Sequence, residues 1–393
     1  MRRVKLSEIF EIARGGSPRP IKKFVTKDPD GINWIKIGDT NESKYLTKTK
    51  EKIIPEGKSK SRYVEPGDFL LTNSMSFGRP YISKIYGCIH DGWLVLKPKT
   101  EEIFEDYIYY VLGSPLMKRE FEKQAKGTTV KNLNITLVSD VKIPLPSLSE
   151  QKAIVAKLDR AQRLIDIDRQ MLAKYDELIQ SVFLEMFGDP VRNPKGLKEK
   201  EFGELVEITG GYAFKSKDFI DDESGVKVVK IANVHFIDLD WSEVQYLPIE
   251  SLEEHEKYSL KEGDILLALT RPIINSLGAV KAVVVKDSDL PALLNQRVAR
   301  IRVDSDEVTE DYITSFIYTQ HFKRQIEKYA STSLQPNVSN NEVSKIKVLV
   351  PEIDQQRKFS EIRQRILNER DALEVNQKKS EELFSSLVQG VFG

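Results

Sequence analysis

The chain has 393 residues, with 60 Lys+Arg against 60 Asp+Glu, four histidines and a single cysteine. That length suggests two or three domains; Cys88 cannot form an internal disulfide, so a reducing cytoplasm is the expected setting, and His90, His235, His255 and His321 lack zinc-ligand spacing. No apolar run is long enough to cross a bilayer, and the opening MRRVKLSEIF turns acidic and amphipathic at once, so neither a membrane partner nor a signal peptide is expected.

The first predicted element is the amphipathic stretch LSEIFEIA (6–13), followed by a Gly15-Gly16 turn that glycine's freedom at positive φ would serve. Short β-branched and apolar runs come next, WIKI, DFLLT and YISKIY, which read as strands of a mixed sheet. A helix is expected around 104–124, completing an α+β unit of roughly 150 residues. After Pro146, Ser147 and Glu150 form a capping box, and Gly188 stands where the next helix should stop. Inside it Ile154, Leu158, Ala161, Ile165, Asp168, Leu172, Tyr175, Ile179, Val182 and Met186 step by four and three, a heptad seam with one polar interruption. At about 1.5 Å per residue that helix would be roughly 55–60 Å long.

The chain then repeats the same order. FGELVEIT (202–209), Gly210-Gly211, the runs VKVVKI, DILLAL and GAVKAVVV, a helix around 309–329 and a long helix over about 353–389 follow in turn. KIPLPSLSEQKAIVAKL (142–158) is answered 205 residues later by KVLVPEIDQQRKFSEIR (347–363), and FEDYIYYVLGSPLMKREFEK (104–123) by TEDYITSFIYTQHFKRQIEK (309–328). PGDFLLTNS (66–74) is matched by EGDILLALT (262–270). Two copies of one domain are implied, related by an approximate twofold axis. The expected boundaries are 1–148 for the first domain, 149–188 for its long helix, 189–351 for a linker and second domain, and 352–393 for the last helix.

Twofold-related copies would lay the two long helices antiparallel, as a coiled coil. The seams then match Met186 with Phe359, Ile179 with Ile366, Leu172 with Leu373, Ala161 with Phe384, Leu158 with Leu387 and Ile154 with Val391. Asp168 and Gln377 would meet as a register-fixing polar pair. Val182 against Arg363 and Tyr175 against Arg370 fit if the arginines snorkel outward.

Net neutrality hides an asymmetry. Residues 1–148 hold 26 Lys+Arg against 18 Asp+Glu, whereas 197–352 hold 19 against 27. Clustered cations are what nucleic acid requires; the first copy supplies them in RGGSPRPIKKF (14–24) and the Lys-rich 44–62 stretch, and the second offers only a small surface.

The whole layout resembles the specificity subunit of type I restriction–modification systems. The resemblance rests on the helix entries Pro144, Pro146, Glu150, Gln151 and Pro351, Gln355, Gln356, on the turns Gly67-Asp68 and Gly263-Asp264, and on the loops GTTVKNLNI (127–135) and TSLQPNVS (332–339). It implies an α+β fold with two target recognition domains, each reading half of a split double-stranded DNA sequence, separated by the helix pair. It also implies two methyltransferase subunits docked on the helices, with motor-nuclease subunits joining them. S-adenosylmethionine, ATP and Mg would be bound by those partners. The chain itself shows no phosphate loop, methyl-donor pocket or Asn/Asp-Pro-Pro-aromatic run, and reads as non-enzymatic without a cofactor of its own.

Loops between strands are the candidate DNA contacts. In the first copy these are Arg14, Arg19, Lys22, Lys23, Lys36, Asn73, Ser74, Ser76, Arg79, Thr128, Thr129, Lys131 and Asn132. In the second they are Lys215, Lys217, Lys230, Asn233, Thr270, Arg271, Asn275, Asn295, Gln296, Arg297, Ser333, Gln335 and Asn337. Arg suits guanine and Asn or Gln suits adenine, while Lys and hydroxyls hold phosphate. Turn Asn and Thr also commonly bond their own backbone, and Trp34, Phe77, Trp93 and Trp241 suit the core better than stacking. Two other readings stay open: the DNA-reading subunit of a simpler cut-and-modify enzyme, and a two-domain protein-interaction scaffold.

Overall fold

The structure is a computed structural model that describes residues 2–41, 43–73, 78–124, 133–274, 278–330 and 336–392. The chain forms two compact units, residues 1–169 with 375–393, and residues 170–374. Each unit holds one α+β body and one half of each long helix.

In the first unit, one five-stranded sheet runs in the order Phe10–Arg14, Trp93–Pro98, Phe69–Thr72, Pro80–Ser83, Tyr45–Leu46. Its strands are antiparallel except the last pair. A second sheet runs Val25–Thr26, Glu51–Ile53, Ile32–Ile35, Gly87–Ile89, Arg62–Val64. The single mixed sheet expected from the sequence is therefore two five-stranded sheets, with Arg3–Lys5 and Lys142–Pro144 paired apart from both. The reason lies in strand periodicity: successive side chains point to opposite faces, and WLVL and DFLL are apolar on both. Leu94, Leu96, Phe69 and Leu71 pack toward the helices, while Trp93, Val95 and Leu70 pack on Ile35, Val64 and Ile89 of the other sheet. A strand buried on both faces needs cover on both.

The helix expected over 104–124 is two helices, Glu105–Leu112 and Pro115–Gln124. Pro115 lacks the N–H that would continue the first, and it is well tolerated at a helix start. The second unit has the same break, Glu310–Ile317 and Gln320–Tyr329, where Thr319 Oγ1 caps the second helix by accepting the Phe322 N–H at 3.2 Å. That unit has a four-stranded sheet, Val206–Gly210, Val298–Val303, Ile265–Ala268, Ala282–Val284, and a three-stranded one, Tyr246–Leu247, Val226–Val229, Ala292–Leu294.

The Gly15-Gly16 and Gly210-Gly211 pairs do not sit at positive φ, contrary to expectation. Gly15 and Gly211 serve close approach instead: a Cβ on either would lie 2.0 Å from a carbonyl oxygen, of His90 or Asn295 respectively. Positive φ falls on Gly67 (96°) and Gly263 (85°), within turns where Asp68 and Asp264 accept the N–H of Glu65 and Lys261.

The long helices span Leu148–Phe187 and Ile353–Phe392. The first opens on the expected box, with the Ser147 N–H donating to Glu150 at 2.9 Å, and Gly188 (φ 82°) follows its end. Within each unit their halves run antiparallel. In the first unit Val155 and Leu158 share a core with Val388 and Phe392, while Asp168 accepts from Ser380 Oγ at 3.1 Å and Arg169 meets Glu381 at 3.1 Å. In the second, Arg370 donates to Asp176 at 3.0 Å, and the Phe359 ring lies 5.6 Å from Phe183 and 5.4 Å from Phe187.

The side-chain contacts between the helices fall within about a turn of the pairing expected. Asp168 meets Ser380, and Gln377 bonds Glu381 within its own helix. Phe359 packs on Phe183 and Phe187, and those two rings pack in turn on Tyr312. A heptad count assumes that the helices face only each other; here each half also packs on its own α+β body, so the buried stripe widens to include Val155, Phe183 and Phe187. Arg363 and Arg370 do not snorkel outward. Their side chains are only 14% and 13% exposed, ion-paired to Asp311 and Asp176. Burial pushes the Asp176 carboxyl up, and Arg370 opposes that shift.

Candidate nucleic-acid interface

In the first unit the strand register gathers the candidates. Leu94 pairs with Arg14, Trp93 with Thr72, Leu71 with Pro80, and Ile35 with Ile89. Arg14, Lys36, Asn73 and Arg79 therefore leave their strands at one end, around the turn 90–92. The hub of that turn is Asp91. Its backbone oxygen accepts from Arg14 Nε at 3.2 Å, its Oδ1 accepts from Ser17 Oγ at 2.8 Å, and its Oδ2 lies 3.7 Å from Arg19. The Ser17 hydrogen bond holds the Asp91 carboxyl below its ordinary range. Beside it, burial pushes the His90 imidazole down, and its Nδ1 accepts the Gly92 N–H at 2.6 Å.

The remaining candidates divide. Asn73 is buried at 1% exposure with Oδ1 unbonded, and its N–H donates to Gly92 O at 2.8 Å. Arg79 is exposed, its guanidinium 5.1 Å from the Tyr81 ring. Lys36, also a candidate, is ion-paired to Glu51 at 2.6 Å. Lys22 and Lys23 lie on the turn before Val25, which registers with Ile53 and so with Ile32, the opposite end of that sheet from Lys36. Ser74, Ser76, Thr128, Thr129, Lys131 and Asn132, with Phe77, lie outside the described residues.

The second unit builds the equivalent end. Ala268 pairs with Val298, Leu269 N–H donates to Arg297 O at 2.8 Å, and Asn295 N–H donates to Val229 O at 3.0 Å. Thr270, Arg271, Asn295, Gln296 and Arg297 emerge together, with Lys230 following Val229. Asn337 joins them by a backbone bridge to Thr270. Thr270 and Asn295 are each 9% exposed, and Asn295 Oδ1 accepts the Gln296 N–H. Asn233, a candidate from the sequence, is engaged within its own loop. It is 2% exposed; its Oδ1 accepts from Lys230 N–H while its Nδ2 donates to Asp240 O and Glu243 O. Lys215 and Lys217 are exposed around the turn Ser216–Asp218. Asn275, Ser333 and Gln335 lie outside the described residues.

Two features escaped the sequence. Arg300 is 5% exposed and ties its sheet to the turn 256–259, donating to Lys257 O and Ser259 O at 3.0 Å each and to Thr209 at 3.3 Å. Arg302 grips buried Asp264 through two bonds of 2.7 and 2.8 Å, a pair echoed more loosely by Lys97 and Asp68 at 3.6 Å. Charge alone gives no sign of this; alternation along VARIRV, which places Arg300 and Arg302 on opposite sides from Ala299 and Ile301, is the available signal. Trp34 and Trp93 are core residues, and Trp241 Nε1 donates to Asp289 at 2.8 Å. Among the described residues no His, Cys, Asp and Glu cluster could hold a metal, and no helix is long and apolar enough to cross a membrane.

The family model described as type I restriction modification DNA specificity domain matches residues 1–174 and again 194–383. The chain is similar to the type I restriction enzyme MjaVIII specificity subunit of Methanocaldococcus jannaschii, 29% identical over 398 residues, which covers 97% of this chain and 88% of that protein. It is also similar to the EcoAI specificity subunit of Escherichia coli, 30% identical over 174 residues, 44% of this chain and 29% of that one. A solved chain from work on assembly and conformational transition of the type I restriction–modification system shares the fold, with a TM-score of 0.60 at 16% identity over 99% of this chain and 96% of that one.

Proposed function

We propose that this chain, which belongs to the type I restriction–modification DNA specificity family, reads a split, non-palindromic duplex sequence on behalf of partner enzymes. The observation that carries this reading is that equivalent sheet ends in the two units present different side chains: Arg14, Arg19 and Arg79 in one, Thr270, Arg271, Gln296 and Arg297 in the other. One frame with two unlike edges suits two unlike half-sites. Guanidinium and amide groups are the side chains that discriminate bases in the major groove.

The partners are two methyltransferase subunits that modify adenine and motor-nuclease subunits that cleave. They supply S-adenosylmethionine, ATP and Mg chemistry in the cytoplasm, and this chain takes no catalytic part. Exposed apolar residues on the long helices support docking there: Leu164, Ile167, Met171, Leu178 and Leu184 on the first, Val375 and Leu383 on the second, are each 41% exposed or more.

The test is a single-molecule methylome of the native cell with and without this gene. Loss of one split adenine-methylated motif on deletion supports the reading. An unchanged methylome in cells whose partner methyltransferase is expressed overturns it.

A further inference from the structure

The second unit poses an electrostatic problem. It is acidic overall, with 27 Asp+Glu against 19 Lys+Arg over 197–352, yet it is to hold a polyanion. Five of its cations are already ion-paired to carboxylates of the same unit: Lys200 on Glu307, Lys286 on Asp238, Arg302 on Asp264, Lys323 on Glu327 and Lys347 on Glu201.

Two arginines at the sheet end differ. Arg271 has φ 48° and Arg297 φ 69°, the left-handed region that L side chains seldom adopt. The fold imposes these angles from the backbone. Arg271 N–H donates to Pro336 O at 2.8 Å, next to the Thr270–Asn337 bridge. Arg297 O accepts the Leu269 N–H at 2.8 Å, and the preceding Gln296 N–H is held by Tyr212 O and Asn295 Oδ1, each at 2.8 Å. The Leu269–Arg297 bond sets the two turns side by side. Both side chains are exposed, and neither has an ion-pair partner among the described residues. Lys281 stands close enough to Arg271 for the like charge to add to burial in depressing its ammonium, with no carboxylate offsetting either. In the first unit the position 205 residues before Arg297 is Gly92, so this arrangement belongs to the second unit alone.

Disfavoured backbone held from both sides, with an unpaired charge at its tip, fixes where each guanidinium starts. That rigidity has little value for holding a diffuse phosphate field, which a flexible lysine serves. It suits the fixed two-donor geometry that matches the O6 and N7 edge of guanine. We propose that Arg271 and Arg297 are the paired guanine readers of the second half-site and determine its specificity. This rests on the DNA-reading function above.

The experiment is the motif methylated in cells carrying the full chain and its partners, compared among wild type, Arg271→Lys, Arg297→Lys, Arg271→Ala and Arg297→Ala. Lysine keeps the charge and loses the fork. The expected result is that each lysine variant still methylates, with the first half of the motif unchanged and one guanine position in the second half relaxed roughly tenfold or more. Three results overturn the inference: a second half-site without guanine, a motif unchanged in all four variants, or the same motif methylated uniformly less. Loss of all methylation in both lysine variants also counts against it, since charge and fold are conserved there. Absence of any split motif in wild type overturns the underlying reading instead, so the two failures are distinct.

Discussion

Gln151 and Phe104 are joined by a hydrogen bond of 2.8 Å, the Phe104 N–H donating to the side-chain oxygen of a glutamine with no solvent exposure. The same amide donates to Glu102 O at 2.8 Å and Pro146 O at 2.9 Å. Gln356 repeats the clamp in the second unit, accepting from Thr309 N–H at 2.9 Å and donating to Glu307 O and Pro351 O at 2.9 and 2.8 Å. Each glutamine thereby locks the entry of a long helix to the start of the short helices of its own unit. Replacing Gln151 or Gln356 by Leu strands one buried donor and two acceptors. A loss of about 2–5 kcal/mol is expected for that unit, read as a lower denaturation midpoint for one of two transitions.

Gly15→Ala and Gly211→Ala are expected to destabilise by about 3 kcal/mol, the upper end for overpacking, because the new Cβ meets a backbone carbonyl 2.0 Å away that cannot rotate aside. Gly390→Ala, in a helix with nothing within 4 Å of the new atom, should stabilise by about 1 kcal/mol. Thermal melts of the three variants check the contrast.

The difference between those glycines shows where sequence reading stops. The duplication, the Ser147–Glu150 cap, the helix stop at Gly188 and the strands were legible because each is a local pattern repeated at a fixed offset. The double-glycine pairs were legible as special positions, but positive φ and close approach leave the same mark in a sequence. The widened helix stripe was not legible because Phe183 and Phe187 pack on Tyr312 in the α+β body as well as on Phe359. At the candidate interface, loop position was readable from strand spacing. Which cations are neutralised was not: Glu51 reaches Lys36 at 2.6 Å only through the tertiary fold, while Arg19 is left 3.7 Å from Asp91 and exposed.

That distinction predicts opposite outcomes for two first-unit cations. Arg19 is 84% exposed and only loosely held by Asp91, so Arg19→Ala should weaken duplex binding and lower the slope of log K against log salt by about 0.9. Lys36→Ala, whose charge Glu51 already cancels, should leave the slope unchanged. Titration of target duplex from low to high salt with the assembled methyltransferase measures both.

Arg302 and Asp264 form a bidentate charge pair at the second unit's four-stranded sheet, with the carboxylate side chain 2% exposed and the guanidinium 30%. Removing only the arginine leaves a buried carboxylate, so Arg302→Met should cost about 3–5 kcal/mol. The double variant Asp264→Leu with Arg302→Met should recover most of it, since well-packed apolar residues replace a buried pair with little loss. Lys97→Met in the first unit, facing Asp68 at 3.6 Å, should cost less. Denaturant curves of the three variants decide whether the turn depends on the pair or merely tolerates it.

Acidification should act first through the histidines. Burial lowers the pKa of both His90 and His321 from about 6.5, outweighing the nearby Asp91 that would raise His90. A base with a lowered folded pKa takes up protons on unfolding. Its stabilising contribution is therefore complete above about pH 6.5 and declines as pH falls through the folded pKa. At His90 the effect has a local target, because Nδ1 accepts the Gly92 N–H at 2.6 Å and a protonated ring cannot. The turn that carries Asp91 should loosen, releasing Arg14 and Arg19 from their shared anchor. Histidine ring NMR titration should show His90 and His321 protonating below about 6.5. Stability measured at pH 7.5 and 5.5 should fall with acid in wild type and fall less in His90→Gln. A His90 that titrates above 6.5 would mean that Asp91 dominates, and the turn would then tighten rather than loosen.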